Sequence, residues 1–115
     1  MTRSQIMARD AYARVAGNAP LPREYVSFAK KFPALVHTCG LVQAVAFAEA
    51  KGECRYLSDL TAVLTAAGHP EITEQQTLDH HARNQTLGGY LRLSRDALQA
   101  ASWLKRYVEA AGEEA

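Results

Sequence analysis

"KKFPALVHTCGLVQAVAFAEAKG", residues 30–52, is the stretch on which the fold turns. It opens on two lysines, runs from Phe32 to Ala48 without one Asp, Glu, Lys or Arg, and closes on Lys51 and Gly52. A membrane span needs roughly 20 predominantly apolar residues, and this run is interrupted by Pro33, His37, Thr38, Gly40 and Gln43. It therefore reads as buried helix. Pro33 removes a backbone donor and Gly40 relaxes the chain, so two or three helical pieces are expected between Tyr25 and Lys51, bent at those residues. Leu41 and Phe47 are assigned to the core.

The flanks carry the same period. Thr2 and Gln5 have the spacing of a capping box, and Ala8, Ala11, Tyr12 and Val15 recur on one face until Gly17. "GNAPLP", residues 17–22, is a connection that sets Pro22 at the first turn of the next helix. Tyr56, Leu57, Leu60, Val63, Leu64 and Ala67 mark a further amphipathic helix, closed by Gly68 with Pro70 beyond. Thr73 and Gln76 repeat the capping-box spacing before a polar helix through Leu78 and Ala82, which "LGGY" ends. Ser94 is the expected cap of the last helix, with Asp96 in its first turn and Ala97, Ala101, Leu104, Val108 and Ala111 on its buried face. No strand pattern persists.

The chain has 115 residues, 48% hydrophobic and 22% charged, with four prolines and seven glycines. This composition excludes a disordered or fibrous chain and fits one globular domain. The expectation is all-α: a compact single-domain helical bundle of about five to seven helices over residues 1–115, frayed from about 112. The two cysteines, Cys39 and Cys54, have no partner at zinc or disulfide-framework spacing and read as small apolar residues. The N-terminus shows no export signal, so a cytoplasmic protein is expected.

Net charge is +1, but residues 1–55 hold eight Lys and Arg against four acids, whereas residues 56–115 hold five against eight. A basic and an acidic half suit a polyanion or a head-to-tail neighbour. "DHH" at residues 79–81 suggests a two-metal phosphodiesterase, which needs further ligands to hold its cations about 4 Å apart, and the sequence does not supply them. Asp79 is instead spaced to pair with Arg83 on a helix face. There is no GxSxG elbow, phosphate-binding Gly loop or HExxH. No catalytic residue, metal site or cofactor is assigned.

Tyr25, Ser27, Lys30, Lys31, Pro33, Gly40-Leu41, Gln43, Ala46-Phe47 and Ala50-Lys51 together resemble the central signature of the small helical subunit of type III-B CRISPR (Cmr) effector complexes. "YLRLSRDALQAASWLKRYVEAA", residues 90–111, is similar to that family's second signature through Ala97, Trp103-Leu104 and the Lys105-Arg106 pair. The resemblance implies a non-catalytic subunit that stacks in several copies along guide RNA–target RNA and serves antiviral defence. Other subunits of the complex, copies of itself, guide RNA and target RNA are then the expected partners, with no membrane involved. In such a machine base pairing reads sequence, so backbone charge is what the subunit needs to supply. Arg14, Lys30, Lys31, Lys105 and Arg106 are the expected RNA-facing or neighbour-facing positions. The alternative is a helical protein-interaction adaptor without nucleic-acid contact.

Overall fold

Thr2 caps the first helix as its spacing predicts: its hydroxyl accepts the Gln5 N–H at 3.1 Å, and its own N–H donates to the Gln5 side chain at 2.8 Å. In the computed structural model, which describes residues 1–72 and 77–112, that helix is α1 (Arg3–Gly17). It is followed by α2 (Arg23–Cys39), α3 (Leu41–Ala50), α4 (Cys54–Ala66), α5 (Leu78–Asn84) and α6 (Leu87–Gly112). Among the described residues there are six helices and no strand, as expected for an all-α bundle. The Thr73–Gln76 capping box and the last three residues of the tail lie outside the described residues.

At 1.5 Å per residue α6 is about 39 Å long, close to the 42 Å long axis of the molecule. It is the spine. α1 and α2 lie along it, α4 packs against it and against α1, and α3 joins α2, α4 and α5. The core is formed by Met7, Ala11 and Val15 of α1, Phe28, Phe32 and Val36 of α2, Leu41 and Val45 of α3, Tyr56, Leu60 and Leu64 of α4, and Ala97, Leu104 and Val108 of α6.

Several expectations are corrected. α2 runs unbroken through Pro33, whose ring is buried beside Ala29, Phe32 and Val36, so the only break in the opening stretch is at Gly40. Packing of that face compensates for the missing backbone donor. Gly40 has φ +86°, a conformation that costs a side chain, and α3 restarts there without a side-chain cap. Tyr12 is 59% exposed, because α1 turns Met7, Ala11 and Val15 inward instead. Ala111, near the end of α6, is also exposed. Cys39 and Cys54, read as small apolar residues, are exposed free thiols at the end of α2 and the start of α4.

The largest change concerns the last helix. "LGGY" does not end α5; it opens α6, and Thr86 rather than Ser94 caps it, accepting the Gly89 N–H at 3.2 Å. Gly88 and Gly89, near its start, favour helix less than most other residues do. Tyr90 supplies a tertiary reason for the longer helix: its hydroxyl accepts the Val42 N–H at 3.2 Å, satisfying a free donor at the uncapped start of α3. Ser94 and Asp96 thus fall inside α6, and Asp96 is completely buried.

Candidate nucleic-acid interface

The five basic positions take up separate surroundings. Arg14, at the end of α1, turns back to Asp59 of α4 at 3.8 Å. Lys31, on α2, places its ammonium 5.5 Å from the ring centres of both Phe28 and Phe47, and Lys51 approaches Phe47 at the same distance. Lys30 precedes it on the same helix and is half-buried. Lys105 and Arg106 are adjacent on α6 and therefore point to different sides, Lys105 half-buried and Arg106 exposed. The contacts of Arg14 and Lys31 lie at α1–α4 and at α2–α3, and Arg106 borders a depression between α1 and α6.

Phe47, expected in the core, is 39% exposed. α3 buries Leu41, Ala44, Val45 and Ala48, which turns Phe47 outward between the two ammoniums. The result is an exposed ring flanked by Lys31 and Lys51, where an aromatic face and positive charge lie together on rigid helices. Such a surface suits nucleic-acid backbone and unstacked bases.

Two buried carboxylates organise the rest. Asp59 accepts from the Tyr25 hydroxyl and from the Asn18 amide at 3.3 Å, with Arg14 beside it, while Arg55 donates to the Asn18 carbonyl at 2.9 Å and lies over the Tyr25 ring. This cluster ties the α1–α2 connection to α4. Burial pushes the Asp59 carboxyl above its ordinary 3.8, against the opposing pull of Tyr25, Arg14, Arg55 and Asn18. Burial, then the bond to Asp59, pushes the Tyr25 hydroxyl well above the tyrosine range, so it stays a donor. Asp96 of α6 accepts from His69 Nε2 at 2.7 Å and from Arg3 Nη1 at 3.3 Å, and His69 Nδ1 lies 3.4 Å from Glu71.

A raised carboxyl pKa favours the folded state only while the proton is held. The Asp59 contribution is therefore full below pH 3.8 and declines as pH rises through the higher native value. The stability of the parent relative to Asp59→Asn should fall across that window and then stay level, read by urea denaturation between pH 3.5 and 8. A parent that instead gains on the variant as pH rises would mean that Arg14 and Arg55 outweigh the burial.

Sequence reasoning missed both carboxylates as buried groups, although the signal is there. Asp59 lies three residues after Tyr56 and Asp96 three after Leu93, each on the apolar face of its helix. Within the "DHH" triplet, Asp79 pairs with Arg83 at 3.0 Å, and His81 donates to the Glu71 carbonyl at 2.9 Å. Among the described residues no three His, Cys, Asp or Glu side chains gather where they would hold a metal. No described helix is long and apolar enough to cross a membrane.

Comparison with known proteins bears on the whole chain. The family model described as CRISPR-associated protein (Cas_Cmr5) matches residues 3–111. A Thermus thermophilus protein, "CRISPR system Cmr subunit Cmr5", is 40% identical, with 98% of this chain and 98% of that protein covered. The crystal structure of a CRISPR-associated Cmr5 family protein from Thermus thermophilus superposes with a TM-score of 0.83 at 38% identity, covering 96% of this chain and 98% of the other. With its sequence signatures, its helical architecture and these full-length matches in agreement, the chain belongs to the Cmr5 family of CRISPR-associated proteins.

Proposed function

We propose that the protein is a non-catalytic, structural subunit of a type III-B CRISPR effector complex, stacked in several copies along the guide RNA–target RNA duplex and contributing to target RNA binding in antiviral defence in the cytoplasm. The observation that carries this reading is the family match over residues 3–111, joined by a 40% identical relative named as a Cmr subunit. Its partners are the other Cmr subunits, further copies of itself, and the two RNAs. Arg14, Lys30, Lys31, Lys105 and Arg106 supply the charge, with Arg14 shared with Asp59. Lys51 joins Lys31 at Phe47.

The test is target-RNA affinity of the reconstituted complex at two salt concentrations, for the parent, for Lys30→Glu/Lys31→Glu and for Lys105→Glu/Arg106→Glu. Each lost phosphate contact should weaken binding alike for all target sequences and lower the salt slope by roughly 0.7 to 1. Loss of assembly would place the pair at a subunit interface, and unchanged affinity and slope for both pairs would remove the charge site. The isolated protein should leave labelled single-stranded RNA intact with Mg²⁺ or Mn²⁺. Cleavage abolished by His80→Ala would overturn the non-catalytic role.

A further inference from the structure

At 3.6 residues per turn, Arg92, Arg95, Gln99 and Arg106 fall in one narrow sector of α6, opposite the buried Ala97, Ala101, Leu104 and Val108. All four are exposed. Arg95 lies 3.8 Å from the buried Asp96, whereas Arg92 and Arg106 form no ion pair among the described residues. The sector runs for about 21 Å at 1.5 Å per residue. It is a straight, rigid line of positive charge.

Beside it lies a depression of about 570 Å³ lined by Ser4 of α1 and by Leu98, Gln99, Ser102, Trp103 and Arg106 of α6. That volume falls within the roughly 300–1,000 Å³ occupied by small-molecule sites. The Trp103 indole stacks near-parallel on Tyr107, with ring centres 6.0 Å apart, and Tyr107 meets the exposed Tyr12 edge-on at 5.4 Å. This aromatic series holds the indole in place at the wall of the depression. Gln99 and Ser4 add hydrogen-bonding groups, Ser102, whose hydroxyl donates to the Leu98 carbonyl at 2.9 Å, an acceptor, and Arg106 a guanidinium. An indole, a cation and an amide around one hollow match a base, its phosphate and its polar edge. The carboxylates of an acidic protein surface would satisfy the arginines but lay no ring on the indole, whereas a nucleotide brings phosphate and ring together.

We propose that this depression is a subsite for one unpaired nucleotide of single-stranded RNA, with the base on Trp103, the phosphate at Arg106 and the strand continuing along Arg95 and Arg92. The inference rests on the RNA-binding reading above and adds to it a base contact that backbone charge alone does not supply. Trp103 is the single tryptophan of the chain, so its emission reports on this site directly.

The experiment titrates the intact protein at low salt with hexa-adenylate, with an abasic hexamer of the same charge, and with adenosine monophosphate. Hexa-adenylate should quench Trp103 emission to saturation while the abasic strand binds without quenching. Trp103→Ala, followed by anisotropy of labelled RNA, should weaken hexa-adenylate about 5- to 150-fold and leave the abasic strand unchanged. The parent titration stands alone if that variant fails to fold. Equal binding of both hexamers with unaltered emission overturns the stacking site while leaving backbone binding in place. Adenosine monophosphate binding as tightly as the hexamer overturns RNA as the source of the base. Binding of neither hexamer also overturns the subsite, and the affinity of the reconstituted complex then decides the RNA-binding reading separately.

Discussion

Phe32→Ala should destabilise the protein by about 3–5 kcal/mol, the range for a fully buried phenylalanine. Phe32 has no exposed surface, and its ring centre lies 5.6 Å from that of Phe28 and 5.1 Å from that of Tyr56, while Phe28 and Tyr56 meet edge-on at 5.3 Å. This cluster joins α2 to α4, and close packing leaves little slack to refill the void. Phe47→Ala, fifteen residues along the same apolar stretch, should cost only about 1–2 kcal/mol, because part of its ring is already in water. Urea denaturation of the two variants beside the parent is the measurement. Equal losses would contradict the outward placement of Phe47 between Lys31 and Lys51.

Asp96→Ala should cost a comparable amount, about 3–5 kcal/mol, as breaking a buried ionic contact does. The carboxylate is wholly buried in the middle of α6 and holds His69, from the connection after α4, and Arg3, from the first turn of α1. Its removal leaves the largely buried His69 without its nearest acceptor and opens a void where three segments meet. Arg3→Ala should cost less, since that side chain is half exposed and water replaces its partner. Denaturation midpoints, with hydrogen exchange at residues 68–72, separate the cases. A loss under about 1 kcal/mol for Asp96→Ala, with unchanged protection, would show that the Asp96 contacts contribute little net stability.

What the sequence determined by itself lies within one helical turn. The Thr2–Gln5 capping box, the break at Gly40, the inward face of α4 and the Asp79–Arg83 pair each depend on residues no more than four apart, so spacing and residue type suffice to read them. The family signatures were legible for a different reason, as residue types in fixed register over residues 25–51 and 90–111. Tertiary structure alone decided the rest. Asp96 meets Arg3 across 93 residues of chain and His69 across 27, and Tyr25 meets Asp59 across 34, so helix spacing can place these carboxylates on an apolar face but cannot name the partners that hold them there. The same holds for the start of α6, where local glycine preference against helix is overridden by Tyr90 reaching Val42 on another helix. Periodicity marks which residues of a helix share a face, but which face is covered depends on the neighbours that arrive. That is why Phe47 and Tyr12 lie at the surface, and why Arg14 meets Asp59 of α4 while Lys31 meets Phe47 of α3.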